Sequence, residues 1–384
     1  MSLFLTNQDE EACISAIEAV DAIENGVRQF AVGDAIRRPR IDNFMPSPQQ
    51  GEFFCFSSME GTIRSPGYHA LRIKPDMISW PVVEGRQRRV TYSTRPGLYG
   101  GLVLLFSVAN AELLAIMNDG YVQHLRTAAT GALGIRCMSN PNAEVMGILG
   151  SGGMARTFAM TAKAVRPIRR IQVYSPNRVH LEAYCDEMRS KLGIAVVPVE
   201  SAKAAVKDAD IVSGCTNSME AVITPDLVRP GVHITNVMLW EVSSEAYATI
   251  DAVGVLVRRT PMSVAGFVDD DFGMRMGVLS YAGGQPDERM QIPTPERREG
   301  RYPNARIVDC CDWQTNQPYQ RSRPDEITSL ATASHGTLEG EGGGSAGIQG
   351  IQFACLAGRV YENAKKLGLG RELPTDWFLQ DIPT

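Results

Sequence analysis

"GILGSGGMARTF", residues 147–158, is the stretch on which the reading of this chain turns. Apolar Val145, Met146, Ile148 and Leu149 lead into three glycines within four positions, and helix-forming residues follow from Met154. Gly150, Gly152 and Ala155 stand in the spacing G-x-G-x-x-A. The first glycine permits a tight turn, the second lets a pyrophosphate approach the backbone, and a small third residue lets helix and strand pack closely. The helix start offers unpaired N–H groups and a partial positive charge to phosphate. Glycine pairs also occur in plain surface turns, so the flanking strand and helix carry the argument. Gly150, Gly152, Gly153, Met154 and Ala155 are the expected contacts of a dinucleotide cradle.

Outward from the loop the pattern alternates. "EVMGILG", "IRRIQVYS", "IAVVPV", "DIVSGCT", "HITNVML" and "AVGVLV" read as short buried strands. "MARTFAMTAKAV", "VHLEAYCDEMRSKLG" and "SAKAAVKDA" between them read as helices. Strands alternating with helices imply an α/β fold with a Rossmann-type doubly wound parallel sheet.

The end of the second strand is the next test. An acid about 20 residues beyond the loop would hold the ribose 2'-hydroxyl of NAD. This chain has "VYSPNR" there: Ser175, then Asn177 and Arg178. A carboxylate repels a 2'-phosphate, whereas a hydroxyl, an amide and a guanidinium bind it. The expectation is NADP(H) in preference to NAD(H); the alternative is a solvated arginine at a helix start. Thr216, Asn217 and Ser218 follow the fourth strand, where contact with the nicotinamide ribose is expected.

The rest of the chain sets the frame. Its 384 residues imply two domains. A net charge of -5 carries no basic stripe for nucleic acid. No apolar run approaches the roughly 18 residues of a membrane span, and the start lacks a signal-peptide pattern, so a cytoplasmic address is expected. Eight scattered cysteines without C-x-x-C read as reduced thiols, and five histidines without H-x-x-x-H imply no metal site. Asp269, Asp270 and Asp271 read as a solvated acidic loop. Residues 8–32 have helical spacing, 36–118 read as an antiparallel strand-rich module, and 123–138 return to helix formers. Residues 281–303 read as a loop or insertion. The Gly-rich run 335–350 leads into a closing helix that packs back on the N-terminal module.

"LRTAATGAL", followed about fifteen residues later by "GILGSGGMA", resembles the ornithine cyclodeaminase/mu-crystallin family. "HITNVMLWE" and the closing "GIQ…VYENAKKLGLGRELP" resemble its later segments, so the likeness runs from about residue 10 to 375. It implies a homodimer with residues 1–125 and 320–384 as an α+β substrate-binding and dimerisation domain, and 126–319 as the Rossmann domain. It also implies hydride exchange at the α-carbon of a small amino or imino acid. That makes the expected function an NAD(P)H-dependent imine or ketimine reductase or amino acid dehydrogenase. The alternatives are an ornithine cyclodeaminase-type ammonia-lyase with recycled NAD, and a mu-crystallin-like small-ligand binder.

By the same likeness, Arg40, Arg72 and Arg126 match the family's three carboxylate-gripping positions, with Arg37 and Arg38 as alternatives to Arg40. A planar guanidinium suits a carboxylate because it binds in a bidentate fork. Met59 matches a pocket position, and Glu60 beside it is a second possible acid. The family often has lysine at Arg72, and arginine does not give up its proton at neutral pH. Lys74, on the same strand face, is the candidate to supply that amine. Where cyclodeaminases present an aspartate, the nearest acid here is Glu241, the candidate general acid/base.

Overall fold

The computed structural model describes all residues except 39, 84, 258–273, 276–277, 283–284, 293–301, 332–346 and 383–384. Asp269–Asp271, most of the Gly-rich run and part of the 281–303 segment lie outside the described residues. The described chain forms two large sheets.

The dinucleotide-type sheet has eight strands, all parallel. Their order is Ala195–Pro198, Arg170–Tyr174, Val145–Leu149, Ile211–Gly214, His233–Asn236, Thr328–Leu330, Ala252–Val255 and Arg306–Asp309. The glycine loop leaves the third of these, where strand order reverses. A doubly wound sheet binds its ligand at such a point, outside the carboxyl ends of the strands.

The other sheet has eleven strands. Its centre is an antiparallel meander of Ile41–Pro46, Phe53–Ile63, Tyr68–Ser79, Leu102–Ser107 and Leu113–Asn118. Ser2–Leu5 joins parallel to the last of these. Arg371–Leu373 then closes the edge, so the C-terminal segment completes the N-terminal module.

Local sequence explains the helices. The 8–32 region is two helices, Asn7–Cys13 and Ala16–Val32, each started by a capping box: Thr6 with Asp9, and Ser15 with Glu18. The apolar periodicity runs through Ile14, but Ser15 caps the second helix and stops the first. Gly33, in a left-handed conformation, ends the second. The Gly120–Met138 helix is buried on nearly all sides and packs against the glycine-loop helix Gly153–Val165, the Ala16–Val32 helix and the closing helix Gln349–Leu367. A helix apolar all round belongs in an interior, and this one lies between the two sheets. The closing helix meets the meander in backbone contact: a Cβ on Gly61 would lie 2.4 Å from the Gly350 carbonyl carbon.

Two segments cross the boundaries drawn at 126 and 320. Val278–Ala282 pairs with Ile41–Pro46 in the N-terminal sheet, and Thr328–Leu330 is a strand of the parallel sheet. Neither insertion has a periodic signal of its own.

Candidate active site

The cradle follows from the strand-to-helix turn. Gly150 has φ +113°, a value L side chains rarely adopt. A Cβ there would also sit 2.2 Å from the Cys215 carbonyl oxygen. Its N–H donates to the Tyr174 carbonyl at 2.8 Å. Gly152 caps the helix without a side chain, and nothing lies within 4 Å of where its Cβ would be. Gly153 lies against the His124 ring, with only 2.4 Å between its would-be Cβ and His124 Cε1. Met154 is half-buried and Ala155 fully buried, with the Tyr184 hydroxyl donating to the Ala155 carbonyl at 3.0 Å.

Ser175 directly follows its strand, and Asn177 caps the next helix by accepting from the His180 N–H at 3.0 Å. Arg178 is exposed and ion-paired to Glu182 at 2.7 Å and Glu200 at 2.6 Å.

On the N-terminal sheet, strand alternation assembles a charged wall. Ser57 pairs in register with Asp42 and Lys74, Met59 with Arg72, and Cys55 with Asp76. These side chains share one sheet face because successive residues alternate. Arg72, 3% exposed, donates from Nε and Nη2 to Asp119 Oδ2 at 2.9 and 2.5 Å. Lys74 pairs with Asp76, and burial lowers its pKa, aided by nearby Arg72. Arg40 donates to Asp42 at 2.7 Å and to Ser57 at 3.1 Å. Arg37 is buried on a neighbouring strand, 5.9 Å over the Phe30 ring, and burial lowers its pKa to about 10. Arg38 and Glu60 pair with each other nearer the surface. Met59 is 3% exposed beside Arg72.

Arg126 reaches the same wall from the central helix. It donates to Gln352 at 2.7 Å and to Gln123 at 3.1 Å. Burial, then the charges of Arg72 and Arg40, lower its pKa to about 9. The Phe353 ring packs under both guanidinia, 5.8 Å from Arg72 and 5.4 Å from Arg126. Arg40, Arg72, Lys74 and Arg126 thus form one electrostatic cluster, with Asp42, Asp76 and Asp119 as its acids.

Glu241 is in a different situation. It is fully buried. Oε1 accepts from the Thr216 N–H at 2.6 Å and the Thr216 hydroxyl at 2.8 Å; Oε2 accepts from the N–H groups of Val237 at 2.9 Å and Met238 at 2.8 Å. Burial raises its pKa, against these donors, which pull it down. The carboxylate is buried and braces two strand-end loops, an arrangement that does not present it at a surface as an acid/base contact would require. The Ser218 carbonyl accepts from the Trp240 indole at 2.5 Å, and the Ser218 hydroxyl donates to the Glu220 carbonyl at 2.9 Å. Asn217 lies between these anchors, so residues 216–218 form a tied loop at the sheet's carboxyl edge.

Three further polar positions beside these residues had no readable motif. His124 lies between the glycine loop and the charged wall; burial lowers its pKa, and Asp119, Arg126, Arg156 and Lys74 act on it. Asp119, just before the arginine helix, anchors Arg72. Arg89 lies within electrostatic reach of Arg40, Asp42, Asp76 and Cys55. The signal for His124 was its place in "HLRTAA", two residues before Arg126 on a helix that also carries the cradle's neighbour.

A doubly wound parallel sheet of the dinucleotide-binding type, facing a guanidinium-lined wall, is the architecture of a known protein class. Residues 2–239 match the ornithine cyclodeaminase/mu-crystallin family, and the chain belongs to it. A Delta(1)-pyrroline-2-carboxylate reductase of Bacillus cereus is 27% identical over 210 residues, 50% of this chain and 64% of that protein. The chain spans 62% to 64% of the length of such curated relatives. Among solved structures, the Thermococcus litoralis Delta(1)-pyrroline-2-carboxylate reductase in complex with NADH and L-proline superposes with TM-score 0.67 at 21% identity, covering 97% of this chain and 100% of that one. The iminosuccinate reductase of Paracoccus denitrificans in complex with NAD+ superposes with TM-score 0.61 at 16% identity, covering 97% and 99%. At these identities the structures share the fold.

Proposed function

We propose that this chain is a nicotinamide-dependent oxidoreductase that reduces the C=N bond of a small imino acid at its α-carbon. One observation carries the reading: a single helix holds Arg126 in the charged wall and His124 against Gly153 of the cradle. Carboxylate binding and dinucleotide binding are thereby set on one rigid element. The reductase names of the Bacillus, Thermococcus and Paracoccus relatives agree with it.

Arg72 and Arg126 hold the substrate carboxylate, with Asp119, Gln123 and Gln352 fixing the two guanidinia. When bound, the nicotinamide supplies a hydride to the imine carbon. The C=N π pair goes to nitrogen, which takes its proton from the Lys74–Asp76 pair. Burial makes the Lys74 ammonium a readier donor than an exposed lysine. Glu241 holds the 216–218 loop, which would contact the nicotinamide ribose of a bound cofactor, and does not itself take part in proton transfer.

Two finer points belong to the same proposal. The cofactor is NADP(H) rather than NAD(H), because no carboxylate stands at Ser175 and Arg178 can exchange Glu182 or Glu200 for a 2'-phosphate. The chain also works as a homodimer. The sheet face opposite the closing helix carries a half-buried apolar row, Leu71–Leu104–Ile116–Phe4, in continuous register across four strands. Contiguous apolar surface of this kind marks an interaction face.

The test is loss of reduced-nicotinamide absorbance with pyruvate plus ammonia, a cyclic imino acid and an imino dicarboxylic acid, each with NADPH and with NADH. Turnover that favours NADPH, and loses that preference in Arg178→Gln, supports the reading. Failure to bind either nucleotide sinks it. Light scattering that returns a monomer mass sinks the dimer.

A further inference from the structure

The charged wall holds more cations than one carboxylate requires. Arg72 is paired with Asp119, Arg40 with Asp42 and Lys74 with Asp76. Arg126 is held by the Gln352 and Gln123 amides; Arg89 is placed differently. It lies within electrostatic reach of Arg40, Asp42, Asp76 and the Cys55 thiol, yet its Nε is buried without a hydrogen-bond partner, and among the described residues no carboxylate pairs with it. The rest of the side chain is half-buried, and a buried donor left without a partner is costly unless a ligand completes it.

Its position is also specific. Arg89 follows the hairpin formed by Val82–Val83 and Arg86–Gln87. The next link is a bridge between Arg88 and Ser218. Ser218 belongs to the strand-end loop that Glu241 and Trp240 tie down. The hairpin therefore reaches from the N-terminal sheet to the loop at the nicotinamide end of the other sheet. Arg89 enters the wall from this roof. Arg72 and Asp76 lie on one strand face four residues apart, about 13 Å along the strand. The Arg72–Arg126 pair and Arg89 thus lie toward opposite ends of the charged wall.

We propose that Arg89 receives a second carboxylate of the substrate, so that the site selects an imino dicarboxylic acid over an imino monocarboxylic acid. The α-carboxylate occupies Arg72 and Arg126, and the distal carboxylate occupies Arg89 with Arg40 beside it. The inference rests on the imino acid reading above and narrows its substrate class. The bond changes are those already given, because the distal carboxylate is only bound.

The experiment compares kcat/KM for two imines formed with ammonia, from 2-oxoglutarate and from pyruvate, in the wild type, Arg89→Gln and Arg89→Lys. Charge-assisted hydrogen bonds of this type set the expected scale. The dicarboxylate to monocarboxylate ratio falls by about 10- to 100-fold in Arg89→Gln and recovers partly in Arg89→Lys. A ratio unchanged by Arg89→Gln, or a wild-type preference for the monocarboxylate, overturns the proposal. A binding arm separates it from the reaction itself. Glutarate and propionate are titrated against thermal unfolding of the nucleotide-loaded protein. Glutarate stabilisation present in wild type and absent in Arg89→Gln upholds the second carboxylate site even if no imine is turned over; equal response to both acids in both proteins overturns it.

Discussion

Replacing Glu241 by Gln separates a strut from a catalyst. The two carboxylate oxygens accept four hydrogen bonds, two each, from Thr216, Val237 and Met238. A glutamine side chain is nearly the same size but has one oxygen. Either orientation keeps one pair of donors and turns an NH2 group toward the other pair. Two hydrogen bonds to a charged acceptor are lost, at about 1.5–3 kcal/mol each, so roughly 3–6 kcal/mol in sum. Burying a neutral amide rather than a carboxylate recovers part of this, so the net lies near the lower end, about 3 kcal/mol. That is a large share of the 5–15 kcal/mol typical of a native domain. Urea unfolding followed by tryptophan fluorescence reads it, and Trp240 reports on the same loop through its bond to Ser218. NADPH affinity weakens as well, because Thr216 loses its anchor. A variant as stable as wild type, with kcat down a hundredfold or more, refutes the strut and restores Glu241 as the proton-transfer group.

The glycines of the cradle give a paired prediction. Gly150→Ala forces a strained φ and drives a Cβ into the Cys215 carbonyl, so it loses about 1–3 kcal/mol of stability along with nucleotide binding. Gly152→Ala has open space for its Cβ and melts like wild type, but its NADPH titration weakens because that space is the phosphate's approach. Equal melting loss in both variants contradicts the assignment. Glu10 sets a pH dependence: it is fully buried, and burial, aided by the charges of Asp119 and Asp9 and only partly offset by the Val122 backbone N–H, raises its pKa to about 9. From its ordinary value of 4.5 up to about 9 the folded chain keeps a proton that the unfolded chain releases. Stability from this group therefore falls as pH rises through that window, by at most about 1.4 kcal/mol per pH unit. Glu10→Gln removes the slope, and stability curves that stay parallel in the two proteins sink the prediction.

Much of the nucleotide half was legible because its signals are local. The spacing of Gly150, Gly152 and Ala155, and strands alternating with helices, need no knowledge of distant contacts. The same holds for the central helix, whose "LRTAATGAL" is read directly. The two helices between residues 7 and 32 were merged because apolar periodicity outweighed a cap at Ser15. The strands at 278–282 and 328–330 escaped because each is a short insertion whose partner lies in another part of the chain. The Lys74 side of the site was legible through strand alternation, but its ion partner Asp76 was not singled out.

By itself the sequence determined the glycine loop, the parallel architecture around it and the family, since each depends on spacing along the chain; the candidate arginines came from the family resemblance. Tertiary structure decided which charges are satisfied. The distance between Glu241 and the backbone N–H groups of Val237 and Met238, the pairing of Arg72 with Asp119, and the lack of a partner for Arg89 Nε among the described residues depend on burial and on contacts between remote segments. Ionic chemistry in a low-dielectric interior is governed by those contacts, so residue type alone could nominate Glu241 for catalysis but could not reveal that its oxygens were already engaged.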